Sequence, residues 1–196
     1  MKMLVVVDYQ NDFVNGSLGF AGAEKLDSPI AAKIREYIAN GDLVVQTKDT
    51  HPPKARYMNS REGRHLPVHH CEYWSHGWDT YGETGMTIKD IDDNIQYNCI
   101  TKETFGCSPS AMVDVRHWVT SCCFDLCPNK SSHYTLDTIE FVGLVSNICV
   151  ISNMCVFQAA FPDAQIVVDP TLIASHDPEM HEAVLKVMKG LQVEFI

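Results

Sequence analysis

The feature that most constrains this chain is a series of short, β-branched apolar runs that do not alternate with polar residues. A strand with one face in water alternates with period two, so an unbroken run such as Leu4-Val5-Val6-Val7 predicts a strand covered on both faces. Such runs cover Leu4 to Asp8, Leu43 to Thr47, Asn98 to Thr101, Glu140 to Leu144, Gln165 to Val168 and Val193 to Ile196, and segments of helical spacing separate them. That order predicts an α/β fold with three αβα layers, whose mostly parallel central sheet has about six strands linked by right-handed crossovers.

The helices carry end signals. Ser28-Pro29 supplies an N-cap and a proline for the first helical position, Ile30, Ile34, Tyr37 and Ile38 share one face, and Gly41 closes the helix in a left-handed conformation. Further helices are predicted over Ser108 to Val119, Ser146 to Ala160 and Asp177 to Lys189. The last has Gly190 as its stop and Met180, Ala183, Val184, Val187 and Met188 at core-facing spacing. No linker or repeat divides residues 1–196, which read as one domain. Residues 50–97 break the rhythm with histidines, prolines and glycines, and a long irregular stretch inside a domain is usually functional.

Charge narrows the partners. With 15 basic against 25 acidic residues the formal charge is −10, a field that repels phosphate backbones and anionic membrane surfaces. No run approaches the roughly 20 apolar residues of a membrane span, and Asp8 ends the N-terminal apolar run far short of a signal sequence. The expected setting is therefore cytoplasmic, with neither nucleic acid nor membrane as partner. The eight cysteines then read as thiols and not as a disulfide framework. Cys122, Cys123 and Cys127 lie near His117 and His133, but two adjacent cysteines and a third four residues on match no usual zinc-ligand spacing.

In a parallel sheet the carboxyl ends of the strands face one crevice, so polar residues that end apolar strands are candidates for chemistry. Asp8, Asp49, Lys102 and the segment Gly143 to Cys149 hold such positions. Ser146 reads as an N-cap that places Cys149 in a first helical turn, where unpaired N–H groups and the macrodipole favour a thiolate. A cation such as Lys102 beside that thiol would lower its pKa, and a carboxylate such as Asp8 could accept its proton. Taken alone, a cysteine is more often a small buried hydrophobe.

Three segments in order resemble those of the isochorismatase-like cysteine hydrolases: Val7-Asp8-Tyr9-Gln10-Asn11-Asp12-Phe13, Lys102-Glu103-Thr104-Phe105-Gly106 and Gly143-Leu144-Val145-Ser146-Asn147-Ile148-Cys149-Val150. The resemblance spans nearly the whole chain and implies a catalytic triad of Asp8, Lys102 and Cys149 working through a thioester. It also implies a cis peptide between Leu144 and Val145, with the Val145 and Cys149 N–H groups forming an oxyanion hole. Asp49-Thr50-His51 and the later His69-His70-Cys71 resemble the metal site of the nicotinamidase and pyrazinamidase branch. That implies Asp49, His51 and His70 as ligands of one divalent ion, zinc first and iron or manganese as alternatives, with His69 as the other choice of histidine.

The same resemblance implies a small-molecule amide substrate, nicotinamide going to nicotinate and ammonia, and a homo-oligomer. Phe13 and Leu66 would contact the substrate. The sequence departs from the family pattern around the pocket: Leu66-Pro67 stands for Trp-Pro, Trp74-Ser75 for Gly-Thr and Ser146-Asn147 for Thr-Asp. Those departures leave room for a carbamoyl or ureido amide as substrate, or for a non-catalytic small-molecule-binding protein on the same fold. A dinucleotide enzyme is disfavoured because no glycine-rich turn follows the first strand.

Overall fold

The computed structural model describes residues 1–126 and 136–196. In chain order its main elements are β1 (Lys2–Val7), α1 (Asp27–Ala39), β2 (Leu43–Asp49), α2 (Gly82–Asp90), β3 (Tyr97–Lys102), α3 (Pro109–Leu126), β4 (Thr138–Leu144), α4 (Ile151–Ala160), β5 (Gln165–Ala174), α5 (Pro178–Gly190) and β6 (Glu194–Phe195). The sheet order is β3-β2-β1-β4-β5-β6, with every neighbouring pair parallel.

The unbroken run in β1 is explained by two cores. Met3, Val5 and Val7 pack on one face with Val115 of α3, Met154 of α4 and Val184 of α5, while Leu4 and Val6 pack on the other with Ile30 and Ile34 of α1. Residues 3 to 7 are all fully buried, so no position of the strand selects for polarity.

The structure differs from the sequence expectations at several ends. Helix α1 begins at Asp27, after a 3₁₀ turn over Ala23–Leu26, and Ser28 is not its cap. The carboxylate of Asp27 instead accepts from Glu83 N and Thr84 N at 2.8 Å each, capping the neighbouring α2. Local spacing could not announce that capping because the partner lies more than fifty residues away. Strand β5 continues past the turn signal at Asp169-Pro170. The ladder pairs Phe141 with Val168 and then Gly143 with Ile173, so the turn becomes a bulge inside one strand. In α5 only Val184 and Met188 of the five expected apolar residues are buried, and Met180, Ala183 and Val187 face out. Gly190 is its last helical residue, and the left-handed conformation falls at Gln192, with φ 64°.

Because β1 lies between β2 and β4, strand order reverses there, and a crevice opens at the carboxyl ends of β1 and β4. Gly143 sits at that point with φ +113°, and a Cβ on it would lie 2.1 Å from Val7 O, so only glycine fits. Among the described residues no helix is long and apolar enough to cross a membrane.

One charge is buried beneath α1. Glu140 of β4 accepts from Tyr37 Oη at 2.6 Å and lies 3.0 Å from Lys33 Nζ. Tyr37→Phe keeps the ring and removes a hydrogen bond to a buried carboxylate. It should lower the unfolding free energy by ~1.5–3 kcal/mol, seen as a lower urea midpoint at unchanged m-value.

Candidate active site

The crevice collects the strand-end residues. Asp8 follows β1 in a left-handed conformation, φ 45°, which aspartate tolerates better than most side chains. Its Oδ1 accepts from Thr47 Oγ1 at 2.7 Å, and its Oδ2 lies 2.6 Å from Lys102 Nζ, an approach held by charge because its angle falls off the hydrogen-bond line. From the end of β3, Lys102 Nζ also reaches Cys149 Sγ at 3.9 Å and Asp49 Oδ1 at 3.6 Å. Asp8, Lys102 and Cys149 are all buried.

Side chains from the first motif hold this geometry. Gln10 Nε2 donates to Asp49 O at 2.9 Å and Gln10 Oε1 accepts from Asp49 N at 2.7 Å, which locks the exit of β1 to the end of β2. Asp12 Oδ2 accepts from Cys71 N at 2.7 Å, and Asn11 Nδ2 donates to His76 O at 2.7 Å, so the same motif orders the irregular segment.

The segment that carries Cys149 is not the capped helix start that the sequence predicted. Ser146–Val150 forms one π-helical turn ahead of α4, a conformation concentrated at functional sites. Ser146 makes no capping hydrogen bond, and its Oγ meets His181 Nδ1 of α5 at 3.0 Å. The Leu144–Val145 peptide bond is cis. Fully buried Asn153, which the motifs did not single out, donates to Cys149 O at 2.8 Å and Phe105 O at 3.0 Å and accepts from Cys107 N at 3.0 Å. One amide thus joins the turn that carries Cys149 to the segment that follows Lys102.

Burial sets the protonation states. It pushes the Cys149 thiol well above its usual value, opposed by the Lys102 charge and reinforced by the negative charge of Asp8 and Asp49. The resting sulfur is therefore a thiol, where the sequence favoured a thiolate, because desolvation outweighs the single nearby cation. Burial also raises Asp8, against the lowering effect of Lys102, which makes it a stronger base than an ordinary carboxylate. Lys102 stays charged: burial disfavours its ammonium, but the carboxylates of Asp8 and Asp49 raise its pKa.

A second cluster shares Asp49. Its Oδ2 lies 3.0 Å from His51 Nε2 and 3.2 Å from His70 Nε2, and Glu62 Oε1 lies 3.5 and 3.7 Å from the same two nitrogens. Ligand atoms of Asp49, His51, Glu62 and His70 all fall within 4.8 Å of one another. His70 Nδ1 donates to Val68 O at 2.8 Å, which leaves Nε2 as the free donor atom facing the cluster. His69 turns away, its Nε2 3.0 Å from Pro52 O. Burial disfavours a charged His51, but hydrogen bonds to Asp49 and Glu62 prevail and raise its pKa to about 9. Two carboxylates and two imidazoles around a point that favours positive charge fit a divalent cation. Sequence spacing pointed to neither Glu62 nor its role, because a lone glutamate within a short helix carries no signal.

Both clusters open on a cavity of about 350 Å³, with Phe13, Leu66, Phe105 and Ile148 among its walls and Asp49, Glu62, His70 and Cys149 as its polar side. Phe13 packs against His70, ring centroids 5.5 Å apart. Trp74 does not line the cavity: it is 77% exposed and stacks near Tyr73 and Trp78. Its φ of 66° is a conformation that favours the glycine common at this place in the family pattern. Of the cysteine cluster, Cys122 and Cys123 are buried in α3, whereas Cys127 and His133 lie outside the described residues. Cys71, Cys99, Cys107, Cys149 and Cys155 form no disulfide.

No family model matches the chain. It is 23% identical to the nicotinamidase of Saccharomyces cerevisiae over 219 aligned positions, covering 100% of this chain and 99% of that protein. A pyrazinamidase/nicotinamidase from Streptococcus mutans superposes with a TM-score of 0.81 at 20% identity, over 100% of both chains. A pyrazinamidase of Pyrococcus horikoshii, solved in complex with zinc, gives 0.76 at 19% identity, over 100% of this chain and 98% of that one. The fold is that of the isochorismatase-like hydrolases. The three relatives named are nicotinamidases or pyrazinamidases, the branch the motifs resemble, and an N-carbamoylsarcosine amidase from Thermoplasma acidophilum also matches, with a TM-score of 0.67 at 19% identity over 99% of this chain and 94% of that one.

Two outcomes follow from the geometry. Alkylation of Cys149 by iodoacetamide in the folded protein should still be rising at pH 9, because burial holds the thiol above that value, and a plateau reached by neutrality would contradict it. Asn153→Ala strips partners from two buried backbone groups, Cys107 N and Cys149 O, and from the part-buried Phe105 O, and should cost ~2–3 kcal/mol in chemical denaturation.

Proposed function

We propose that this chain is a cysteine amidohydrolase that converts nicotinamide to nicotinate and ammonia. The observation that carries the reading is one buried ammonium, Lys102, contacting Asp8, Asp49 and Cys149 at the edge of a cavity whose other polar wall is a cation-favouring cluster. The cavity, about 350 Å³, lies in the range of small-molecule sites and suits a single-ring amide. Phe13 supplies an aromatic wall for the ring, and Leu66 an aliphatic one.

In this reading Cys149 Sγ attacks the amide carbon while Asp8 takes the thiol proton, so a carbon–sulfur bond forms and the carbonyl oxygen gains the negative charge. The backbone N–H groups of Val145 and Cys149 receive that oxyanion. Asp8 returns the proton to the amide nitrogen as the carbon–nitrogen bond breaks, releasing ammonia and leaving a thioester. Asp8 then takes a proton from water as the water oxygen attacks the thioester, and hands that proton to the leaving sulfur as the carbon–sulfur bond breaks, giving the acid, the Cys149 thiol and the Asp8 carboxylate. Lys102 remains a cation throughout and holds Asp8 in place. A divalent ion held by Asp49, His51, Glu62 and His70, zinc in the first instance, would supply a Lewis-acidic anchor for a ring nitrogen. Action in the cytoplasm and the one-domain chain enter the proposal from the sequence reading, and the homo-oligomer from the family resemblance.

Ammonia release separates this reading from a binding protein and from hydrolases of carbamoyl or ureido amides. Nicotinamide should be turned over, Cys149→Ala should abolish turnover while retaining nicotinamide binding, and benzamide should be a substrate poorer by at least about tenfold because it lacks the ring nitrogen. Equal turnover of benzamide would remove the ring-nitrogen contact, and turnover of ureido amides alone would replace the substrate.

A further inference from the structure

Beside the catalytic cavity lies a second, larger chamber of about 490 Å³, which shares Glu62 and Phe105 with it and has His51 in its wall. Its roof is built by two short helices, Lys54–Tyr57 and Arg61–His65. Residues 54–65 carry Lys54, Arg56, Arg61 and Arg64 against Glu62 alone, a net of +3, leaving −13 for the rest of a chain whose formal charge is −10. Arg56 and Arg61 line the chamber, and among the described residues neither guanidinium makes a hydrogen bond or an ion pair. Glu62 points its carboxylate at His51 and His70, and Glu103 on the chamber's wall pairs with neither arginine.

We propose that this chamber binds a carboxylate, received through Arg56 and Arg61. An unpaired guanidinium is a planar fork of donors matched to a carboxylate, and a basic island on an acidic protein concentrates anions at that one place. The need for such a site follows from the proposed amide hydrolysis, on which this inference rests for the source of the anion. The substrate is neutral, whereas the product is an acid that acquires a charge the substrate did not have. The chamber next door offers the opposite charge across a wall formed by Phe105 and Glu62. The carboxylate comes either from the product on its way out or from the acidic tail of a longer amide whose reacting end lies at Cys149.

The test uses the full-length protein, its double variant Arg56→Gln/Arg61→Gln, and two probes, nicotinate as product and succinamate as an acid-tailed amide. Binding is followed by titration calorimetry, which needs no turnover, so failure of nicotinamide hydrolysis would not decide it. The double variant should bind at least one probe about tenfold more weakly, and raising salt should weaken binding to the parent protein but hardly to the variant. Loss for nicotinate alone identifies the product as occupant. Loss for succinamate, with a matching fall in its kcat/KM, identifies an acid-tailed substrate. Unchanged affinity for both probes at every salt concentration overturns the proposal and returns the arginines to the solvated surface.

Discussion

The site depends on one buried cation. An ammonium taken out of water costs several kcal/mol unless paired charges surround it, and Lys102 is almost wholly enclosed. Asp8 and Asp49 supply the pairing at 2.6 and 3.6 Å, which requires the ends of β1, β2 and β3 to converge on one point. The rest of the local structure serves that convergence. Thr47 holds Asp8, Gln10 clamps the backbone of Asp49, and Asn153 draws the turn bearing Cys149 toward the segment after Lys102.

Asp49 couples two centres because its oxygens face different partners. Oδ1 looks to Lys102 and Oδ2 to the two histidines, so the charge that steadies the ammonium also contributes to the cation-favouring cluster. This arrangement keeps a neutral thiol and a strengthened base on one side of the cavity and a place for positive charge on the other. In the proposed reaction a neutral amide is held at one end and attacked at the other. In that reaction the raised thiol puts weight on Asp8, since a protonated sulfur needs an acceptor within reach.

Electrostatics extends beyond the cavity. Acidic residues dominate the chain, yet the two short helices over the cation-favouring cluster carry a local positive excess. Those helices arise where proline and glycine interrupt the sequence, in the part of the chain with the weakest periodicity. Segments freed from packing in the sheet can carry charge patterns that a buried strand cannot.

Much of this was legible in one dimension. Unbroken apolar runs require two-sided burial, and alternation with helices requires parallel strands, so the layers, the strand count and the crevice follow from pattern alone. Strand-end positions made Asp8, Asp49 and Lys102 candidates, and three motifs in order, more than any single residue, singled them out together with Cys149. What the sequence could not express were relations across the fold. Asp27 caps a different helix, Ser146 meets His181 and does not cap its own turn, Glu62 joins two histidines from separate loops, and Asn153 ties the turn bearing Cys149 to the segment after Lys102. Local propensity speaks only for neighbours along the chain, whereas these contacts join groups brought close by tertiary packing. The state of Cys149 was decided there as well: the sequence determined that a lysine and an aspartate would accompany the thiol, but only the enclosed crevice determined that desolvation outweighs them and keeps its proton in place.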